Sequence, residues 1–227
     1  MTPLYGEAMV SNSSSRRSQF PGADLSPDGT PDLPVDPLPP EPTAKSSRRG
    51  LSAPVMLVPI GKLNEGPIER IRPAIEEIYR RPTALHGPLP VPKYAFNPTR
   101  GQYHSSSILK RVESLYEHAW DCAIGFTDVD LFVPEVPFIF GEADRSTRAA
   151  IISLNRLSPE SGPSESRHDL MMKRLVSEAI HQVGLIRGLA HCPNNRCVMF
   201  YAATTQEIDK RGSSMCANCR KRLMDLY

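Results

Sequence analysis

The sequence predicts an α/β domain in which helices pack on a mixed sheet, followed by a small C-terminal unit built on cysteines. Three observations lead to this prediction. Short apolar runs bounded by turn residues alternate with segments of helical periodicity, which is the pattern of an α/β fold. One long helical segment around residue 180 has a broad apolar face and should be largely buried. Four of the five cysteines follow residue 190.

The domain should open with a strand and a helix. Residues 54–61 form a short apolar run closed by turn residues, as in a buried strand. A helix is predicted over residues 67–81, because a proline suits its first turn, isoleucines follow at helical spacing, and another proline stops it. A proline-bearing loop at residues 82–101 leads to a second helix at residues 105–118.

The later elements complete the sheet and add its main helix. Three further apolar runs predict strands at residues 122–126, 137–141 and 148–154. The long helix should begin at Ser166, which can cap it in a weaker version of the capping box. Gly188 is placed to end this helix, since glycine tolerates the left-handed conformation that terminates many helices.

Length and composition limit the class of protein. The 227 residues with 40% hydrophobic content suffice for one substantial core. A formal net charge of +2 selects neither a polyanion nor a membrane surface as partner. The N-terminus lacks an apolar signal segment, and no run approaches the roughly 18 apolar residues of a membrane span. We therefore expect a chain with no membrane partner, located in the cytoplasm or the nucleus.

Residues 1–50 differ in composition from the rest of the chain. They are rich in serine and proline, and such a segment buries too little apolar surface to offset the entropy of ordering it. We expect a disordered tail here and a folded domain over residues 51–227. The run from Pro37 to Pro40 could be a polyproline II ligand for a partner, but an inert tail is the simpler interpretation.

The clustered cysteines predict a metal site. They form two close pairs in the sequence, Cys192 with Cys197 and Cys216 with Cys219. In a reducing compartment such clustering favours a metal over disulfides, and four thiolates in two pairs suit a closed tetrahedral zinc site. We therefore predict a structural zinc unit at residues 192–219. Cys122 stands alone in an apolar run and is interpreted as a buried free thiol.

Two histidines just before the first cysteine pair have the spacing of a zinc peptidase. The pattern HExxHxxGxxH places two histidines one helical turn apart, a third beyond a glycine, and a glutamate as general base. In this chain His181 and His191 occupy the outer positions, Gln182 replaces the glutamate, and Leu185 replaces the middle histidine. Two imidazoles fall short of the three protein ligands of a catalytic zinc, so ordinary core histidines remain an alternative.

The combined motif resembles that of the archaemetzincins, metzincin-type zinc metallopeptidases with the pattern HExxHxxGxxHCx4CxM followed by CxxC. Residues 100–106, 125–131 and 138–141 also resemble that family, so the similarity covers roughly residues 51–227. The chain departs from the pattern at Gln182 and Leu185. The matching positions are His181, Gly184, Gly188, His191, Cys192, Cys197, Met199, Cys216 and Cys219.

The resemblance implies a metzincin-type α/β domain with a peptide cleft and a long active-site helix. It implies that His181 and His191 are what is left of a catalytic zinc site, and that Met199 belongs to the methionine turn beneath it. The structural zinc would also hold His191 in place, because Cys192 adjoins it. We therefore expect one structural zinc ion. Leu185 argues against a second, catalytic ion.

The altered positions predict a pseudopeptidase that binds a peptide or protein ligand in the cleft. Gln182 cannot accept a proton at neutral pH, and Leu185 weakens metal capture. The alternative is an active zinc-dependent peptidase in which another residue replaces the lost groups. His168 cannot do so, since it lies 13 residues before His181 on the same helix, about 20 Å away at 1.5 Å per residue.

A further alternative is a zinc-stabilised nucleic-acid-binding or interaction module. The C-terminal unit carries a basic cluster, but it lacks interleaved aromatic residues. Such a cluster is more typical of a solvated face or a cationic helix end, so we do not expect a nucleic-acid partner. The basic residues are Lys210, Arg211, Arg220, Lys221 and Arg222.

Overall fold

The computed structural model describes residues 53–115, 120–159, 161 and 163–226. The predicted tail at residues 1–50, the start of the domain at residue 51 and the end of the second helix at His118 lie outside the described residues. The strands are β1 Val55–Ile60, β2 Thr83–Leu85, β3 Phe96–Asn97, β4 Gln102–His104, β5 Cys122–Thr127, β6 Leu131–Phe132, β7 Gly141–Asp144 and β8 Ala149–Ser153. The helices are α1 Gly66–Tyr79, α2 Ser105–Glu113, α3 Ser164–Ile186, α4 Thr205–Arg211 and α5 Ala217–Asp225.

A five-stranded mixed sheet forms the centre of the fold, in the order β2, β1, β5, β8, β7. Its first four strands pair in parallel, and β7 pairs antiparallel with β8 as an edge strand. Every residue of β1, β5 and β8 is buried, as expected for continuous apolar runs covered on both faces. The prediction of an α/β fold with a mixed sheet is confirmed.

Side-chain alternation along the strands divides the apolar residues between two cores. Val55 and Leu57 of β1 pack in a core with α1 and α3, whereas Met56 and Val58 pack in a second core with α2. The sheet is therefore the middle layer of three. α3 lies against β7 and β8, which brings it beside the edge of the sheet.

A second sheet, in the order β3, β4, β6, was not predicted. Part of it lies in the segment expected to be a loop at residues 82–101, which also contains β2. These strands have only two or three residues each. Elements so short show no periodicity in the sequence, so only their partners define them.

The strand predicted at residues 137–141 is wrong. Residues 137–140 are irregular, with one isolated bridge from Ile139 to Leu131, and β7 begins only at Gly141. The apolar character of the segment reflects side-chain burial instead, since Phe140 is buried and its ring meets that of Phe138 edge to face. β7 itself is polar and half-buried because it pairs on one side only.

The start of α3 also differs from the prediction, because the helix begins at Ser164 and Ser166 lies in its first turn. Pro163 precedes it in an extended conformation, and its carbonyl accepts the first helical hydrogen bond, from the Arg167 amide at 2.9 Å. Within the described part of the chain, no helix has both the length and the apolarity that crossing a membrane requires.

The end of α3 lies at the predicted glycine. Gly188 has a φ of 96°, and its amide donates to the Leu185 carbonyl at 2.9 Å. The Leu189 amide reaches back to the Gly184 carbonyl, also at 2.9 Å. These two bonds form a Schellman motif, which reverses the chain sharply after the helix.

Candidate functional site

The reversal at Gly188 brings together the two histidines of the sequence motif. His181 is buried on α3, whereas His191 follows the turn and is exposed. Their rings stack with centroids 5.4 Å apart and an angle of 11° between planes. The ring of Tyr201 covers His191 from another direction, also at 5.4 Å.

A backbone carbonyl determines which nitrogen of His181 carries the proton. Nδ1 lies 2.8 Å from the carbonyl oxygen of Val198, which can only accept, so Nδ1 is the donor and Nε2 keeps its lone pair. Burial, helped by the charge of Arg211, lowers the pKa of His181 to about 4. Partial burial and Arg211 also lower the pKa of His191. Both imidazoles are therefore neutral at pH 7.

Leu185 is the residue of α3 at the middle-histidine position of the sequence motif. Its side chain is partly buried, packs on the main core and lines the same cleft as the two histidines. Among the described residues, no Asp, Glu, Cys or His joins His181 and His191 in a group of three potential ligands. The described residues therefore do not fit a catalytic zinc, which needs three protein ligands.

Gln182 is buried between α3 and the edge strand β7. Its amide nitrogen donates to a carboxylate oxygen of Glu178 at 3.3 Å, whereas its amide oxygen has no hydrogen-bond partner among the described residues. The Gly141 backbone of β7 lies directly against it, so that a Cβ atom at this glycine would stand 2.7 Å from Nε2. Any larger residue at position 141 would displace the amide.

A buried ion pair below the histidines was not predicted from the sequence. Arg211 was assigned to a basic surface cluster, but it is 2% exposed, and that assignment is wrong. Its guanidinium donates to Glu178 at 2.6 Å, to the Ser177 hydroxyl at 3.0 Å and to the Phe200 carbonyl at 2.9 Å. The sequence carries no signal for this, because an arginine at the end of an amphipathic helix is normally solvated.

These groups line a cleft of about 250 Å³. The irregular segment before β7 and the start of β7 form one wall, and α3 forms the floor. β7 is held from the other side, because Glu142 accepts hydrogen bonds from the hydroxyls of Ser105 and Ser106 at the start of α2. The lining comprises Val136, Pro137, Phe138, Ile139, Phe140, Gly141, Ala143, Glu178, His181, Gln182, Leu185, His191, Tyr201, Ala202, Ala203 and Arg211.

Met199 lies beneath α3. It is fully buried, and its sulfur would stand 2.5 Å from a Cβ atom at Gly184, so the glycine permits the close approach. Its carbonyl accepts a hydrogen bond from the Cys192 amide at 2.8 Å. Met199 is thereby connected to the segment that carries His191.

The four clustered cysteines converge beside this site. The sulfurs of Cys192, Cys197, Cys216 and Cys219 all lie within 4.8 Å of one another. Four thiolates bound to one zinc ion at about 2.3 Å would have sulfurs about 3.8 Å apart, so the cluster fits a zinc unit. Cys216 is the N-cap residue of α5, and the backbone amide of Cys219 helps lower the pKa of the Cys216 thiol to about 7, whereas burial raises the pKa of the Cys197 and Cys219 thiols. The thiolate is the form that binds zinc.

Cys122 lies apart from this cluster, on β5. It is a fully buried free thiol, as predicted, and burial raises its pKa to about 12.

Comparison with known proteins shows that this fold, with its paired histidines, is that of a zinc metallopeptidase family. Residues 82–225 match the model of a protein family described as Peptidase family M54. The archaemetzincin of Methanocaldococcus jannaschii is 33% identical over 75% of this chain and 93% of its own length. The archaemetzincin of Thermococcus kodakarensis is 31% identical over 75% of this chain and 95% of its own. This chain belongs to the archaemetzincin family.

Solved structures give the same result. The crystal structure of archaemetzincin from Methanopyrus kandleri superposes with a TM-score of 0.69 at 27% identity, over 78% of this chain and 97% of that one. The archaemetzincin from Archaeoglobus fulgidus, complexed with malonate, superposes with a TM-score of 0.63 at 26% identity, over 74% of this chain and 98% of that one. The predicted family and fold are confirmed.

Proposed function

We propose that this chain is a pseudopeptidase, a family member that binds a peptide in the cleft but does not hydrolyse it. The observation that carries the proposal is Leu185, an apolar side chain where a second imidazole from α3 would meet His181 and His191. Zinc in such a site polarises the peptide carbonyl and lowers the pKa of a bound water. Two imidazoles alone do not hold the ion that would do this.

Gln182 leaves a second requirement for hydrolysis, the general base, unmet. A positioned general base is worth about 10² to 10⁴ in rate, and a neutral amide cannot accept the proton. The Gln182 amide is also compatible with the adjacent Glu178, because its nitrogen donates to the Glu178 carboxylate at 3.3 Å. A glutamate in this place would put a second buried carboxylate beside that of Glu178, which already pairs with Arg211, and the two carboxylates would repel each other. Gln182 and Leu185 are therefore mutually consistent in a site without a metal.

The edge strand β7 supports peptide binding as the retained function. Among the described strands it pairs with β8 alone, and it also borders the cleft. An extended peptide can add to such an edge through backbone hydrogen bonds, with its side chains entering neighbouring pockets. Here the pocket walls include Phe138, Phe140 and Tyr201, so we expect apolar and aromatic peptide side chains to be preferred.

The cysteine unit is proposed to hold one structural zinc ion within residues 192–219. Zinc there would fix Cys192 and therefore the adjoining His191. It would also hold Met199, whose carbonyl accepts a hydrogen bond from the Cys192 amide at 2.8 Å. We further propose that residues 51–227 form the family domain and residues 1–50 a disordered tail. Because the unit needs reduced cysteines, we propose a cytoplasmic or nuclear location.

The test is to count zinc and assay cleavage of a fluorogenic peptide library, with the unaltered chain and with Gln182→Glu combined with Leu185→His. We expect one zinc ion and no metal-dependent cleavage for the unaltered chain, and a second zinc ion with cleavage for the double variant. Gln182→Glu combined with Leu185→Asn is the matched control, since it restores the carboxylate without an imidazole. Chelator-sensitive cleavage by the unaltered chain would refute the proposal and establish an active peptidase.

A further inference from the structure

A second groove, lined by residues other than those of the cleft, lies along α3. Two adjoining cavities of about 670 Å³ and 500 Å³ share Val176 and Ser213 and form it together. Six residues of α3 line it, namely Leu170, Met172, Lys173, Arg174, Val176 and Ile180. None of these described lining residues also lines the cleft. A ligand in the groove would therefore not compete with a peptide in the cleft.

The floor of the groove is apolar. α1 contributes Ala74 and Ile78, α3 contributes Val176, and α5 contributes Leu223 and Met224. Met224 is 72% exposed, which makes it one of the most exposed large apolar side chains of the described chain. An apolar strip of this kind on the surface is typical of an interaction site.

The rim of the groove is basic. Arg70 and Lys173 stand at one end, and Arg80 and Arg220 at the other, all on exposed positions. Among the described residues none of these four forms an ion pair with a carboxylate. The remaining charges are Glu77 and an internally paired Arg174 and Asp209, with 2.8 Å between nitrogen and oxygen. The groove thus has an excess of positive charge along an apolar floor.

We propose that this groove binds an amphipathic segment of a protein partner, with apolar side chains on the floor and acidic side chains facing the basic rim. Charge complementarity supports this partner: among the described residues the four rim cations have no carboxylate partner and border apolar surface, and an acidic amphipathic helix suits both features. Nucleic acid is the less suitable ligand, because the described lining of the groove contains no aromatic side chain on which bases could stack.

The experiment uses the full chain with zinc in excess and a labelled amphipathic peptide of about 16 residues, with leucines at helical spacing and glutamates elsewhere. Fluorescence anisotropy measures its binding beside that of a glutamine version of the peptide. We expect the glutamate peptide to bind more tightly than the glutamine peptide, with an affinity that falls as salt rises.

Matched variants locate the site. Arg220→Glu combined with Lys173→Glu should weaken binding of the acidic peptide about tenfold, because two cations that attract its glutamates become carboxylates that repel them. Lys221→Glu, an equally exposed change on α5 outside the groove, should leave binding unchanged. Met224→Asp should also weaken binding, whereas Leu226→Asp, exposed and outside the groove, should not.

Three results would each overturn the proposal. The first is equal binding of the glutamate and glutamine peptides. The second is equal binding of the acidic peptide by the groove variants and their controls. The third is that the chain binds a single-stranded oligonucleotide or phosphatidylserine vesicles through these residues and does not bind the acidic peptide. Each variant is first checked for its zinc content, so that a folding failure is recognised before binding is compared.

Discussion

The buried ion pair between Glu178 and Arg211 leads to a sharp prediction about stability. Both side chains are almost inaccessible to water, at 3% and 1% exposure, and their nitrogen and oxygen lie 2.6 Å apart. Arg211→Met keeps much of the side-chain volume but removes the charge. Glu178 would then be a buried carboxylate whose remaining neighbour is the weak amide donor of Gln182 at 3.3 Å.

The magnitude follows from the desolvation of that carboxylate. Breaking a buried ion pair by removing one partner costs about 3–5 kcal/mol, because the other charge stays buried without compensation. The Ser177 hydroxyl and the Phe200 carbonyl lose a donor as well, at about 1 kcal/mol each. A domain of this size has a free energy of unfolding of about 5–15 kcal/mol, so the single variant should be close to unfolding at 37 °C.

The assay is denaturant unfolding with zinc in excess, followed by tryptophan fluorescence. Trp120 suits this purpose because it is the one tryptophan of the chain and is 7% exposed. The double variant Glu178→Gln with Arg211→Met is the control. It should recover at least about 2 kcal/mol relative to Arg211→Met, since no buried charge remains. A loss below about 1 kcal/mol for Arg211→Met would refute the reasoning, because that is the value of an exposed pair.

Three further predictions follow from other parts of the structure. Gly188→Ala should lower the free energy of unfolding by about 1–2 kcal/mol, because φ is 96° there, whereas Gly87→Ala, with open space around it, should change it little. Cys219→Ser should abolish the structural zinc in a metal count and lower the melting temperature, whereas Cys122→Ser should leave the count unchanged. Glu76→Gln should make the free energy of unfolding less dependent on pH in the acid range. The hydroxyl and amide of Thr83 on β2 donate to the Glu76 carboxylate and lower its pKa, so the stability that this carboxylate contributes near neutral pH is lost as the pH falls through that lowered pKa.

Local patterns in the chain were sufficient where one physical requirement dominates a segment. The apolar runs of β1, β5 and β8 predicted buried strands correctly, because central parallel strands are apolar on both faces. Gly188 predicted the end of α3, because left-handed backbone strongly favours glycine. The spacing of the four cysteines predicted their convergence, because a tetrahedral zinc site needs two close pairs.

Local patterns failed where burial and strand pairing are separate properties. Residues 137–140 are apolar because they wall the cleft, yet only one of them forms a bridge. β7 is polar and still a strand, because an edge strand is covered and paired on one side only. The residues most important for peptide binding in our proposal are therefore those for which periodicity was least informative.

By itself, the sequence determined the family, the mixed α/β fold, the convergence of the cysteines, and the two altered positions, Gln182 and Leu185. These are properties of spacing and residue type, which a linear motif records in full. Tertiary structure alone decided that Arg211 is buried against Glu178, that Gln182 donates to that carboxylate, and that an apolar groove with a basic rim lies along α3. Each depends on contacts between distant segments, and whether a charge is solvated or buried is determined by those contacts and not by its neighbours in the chain.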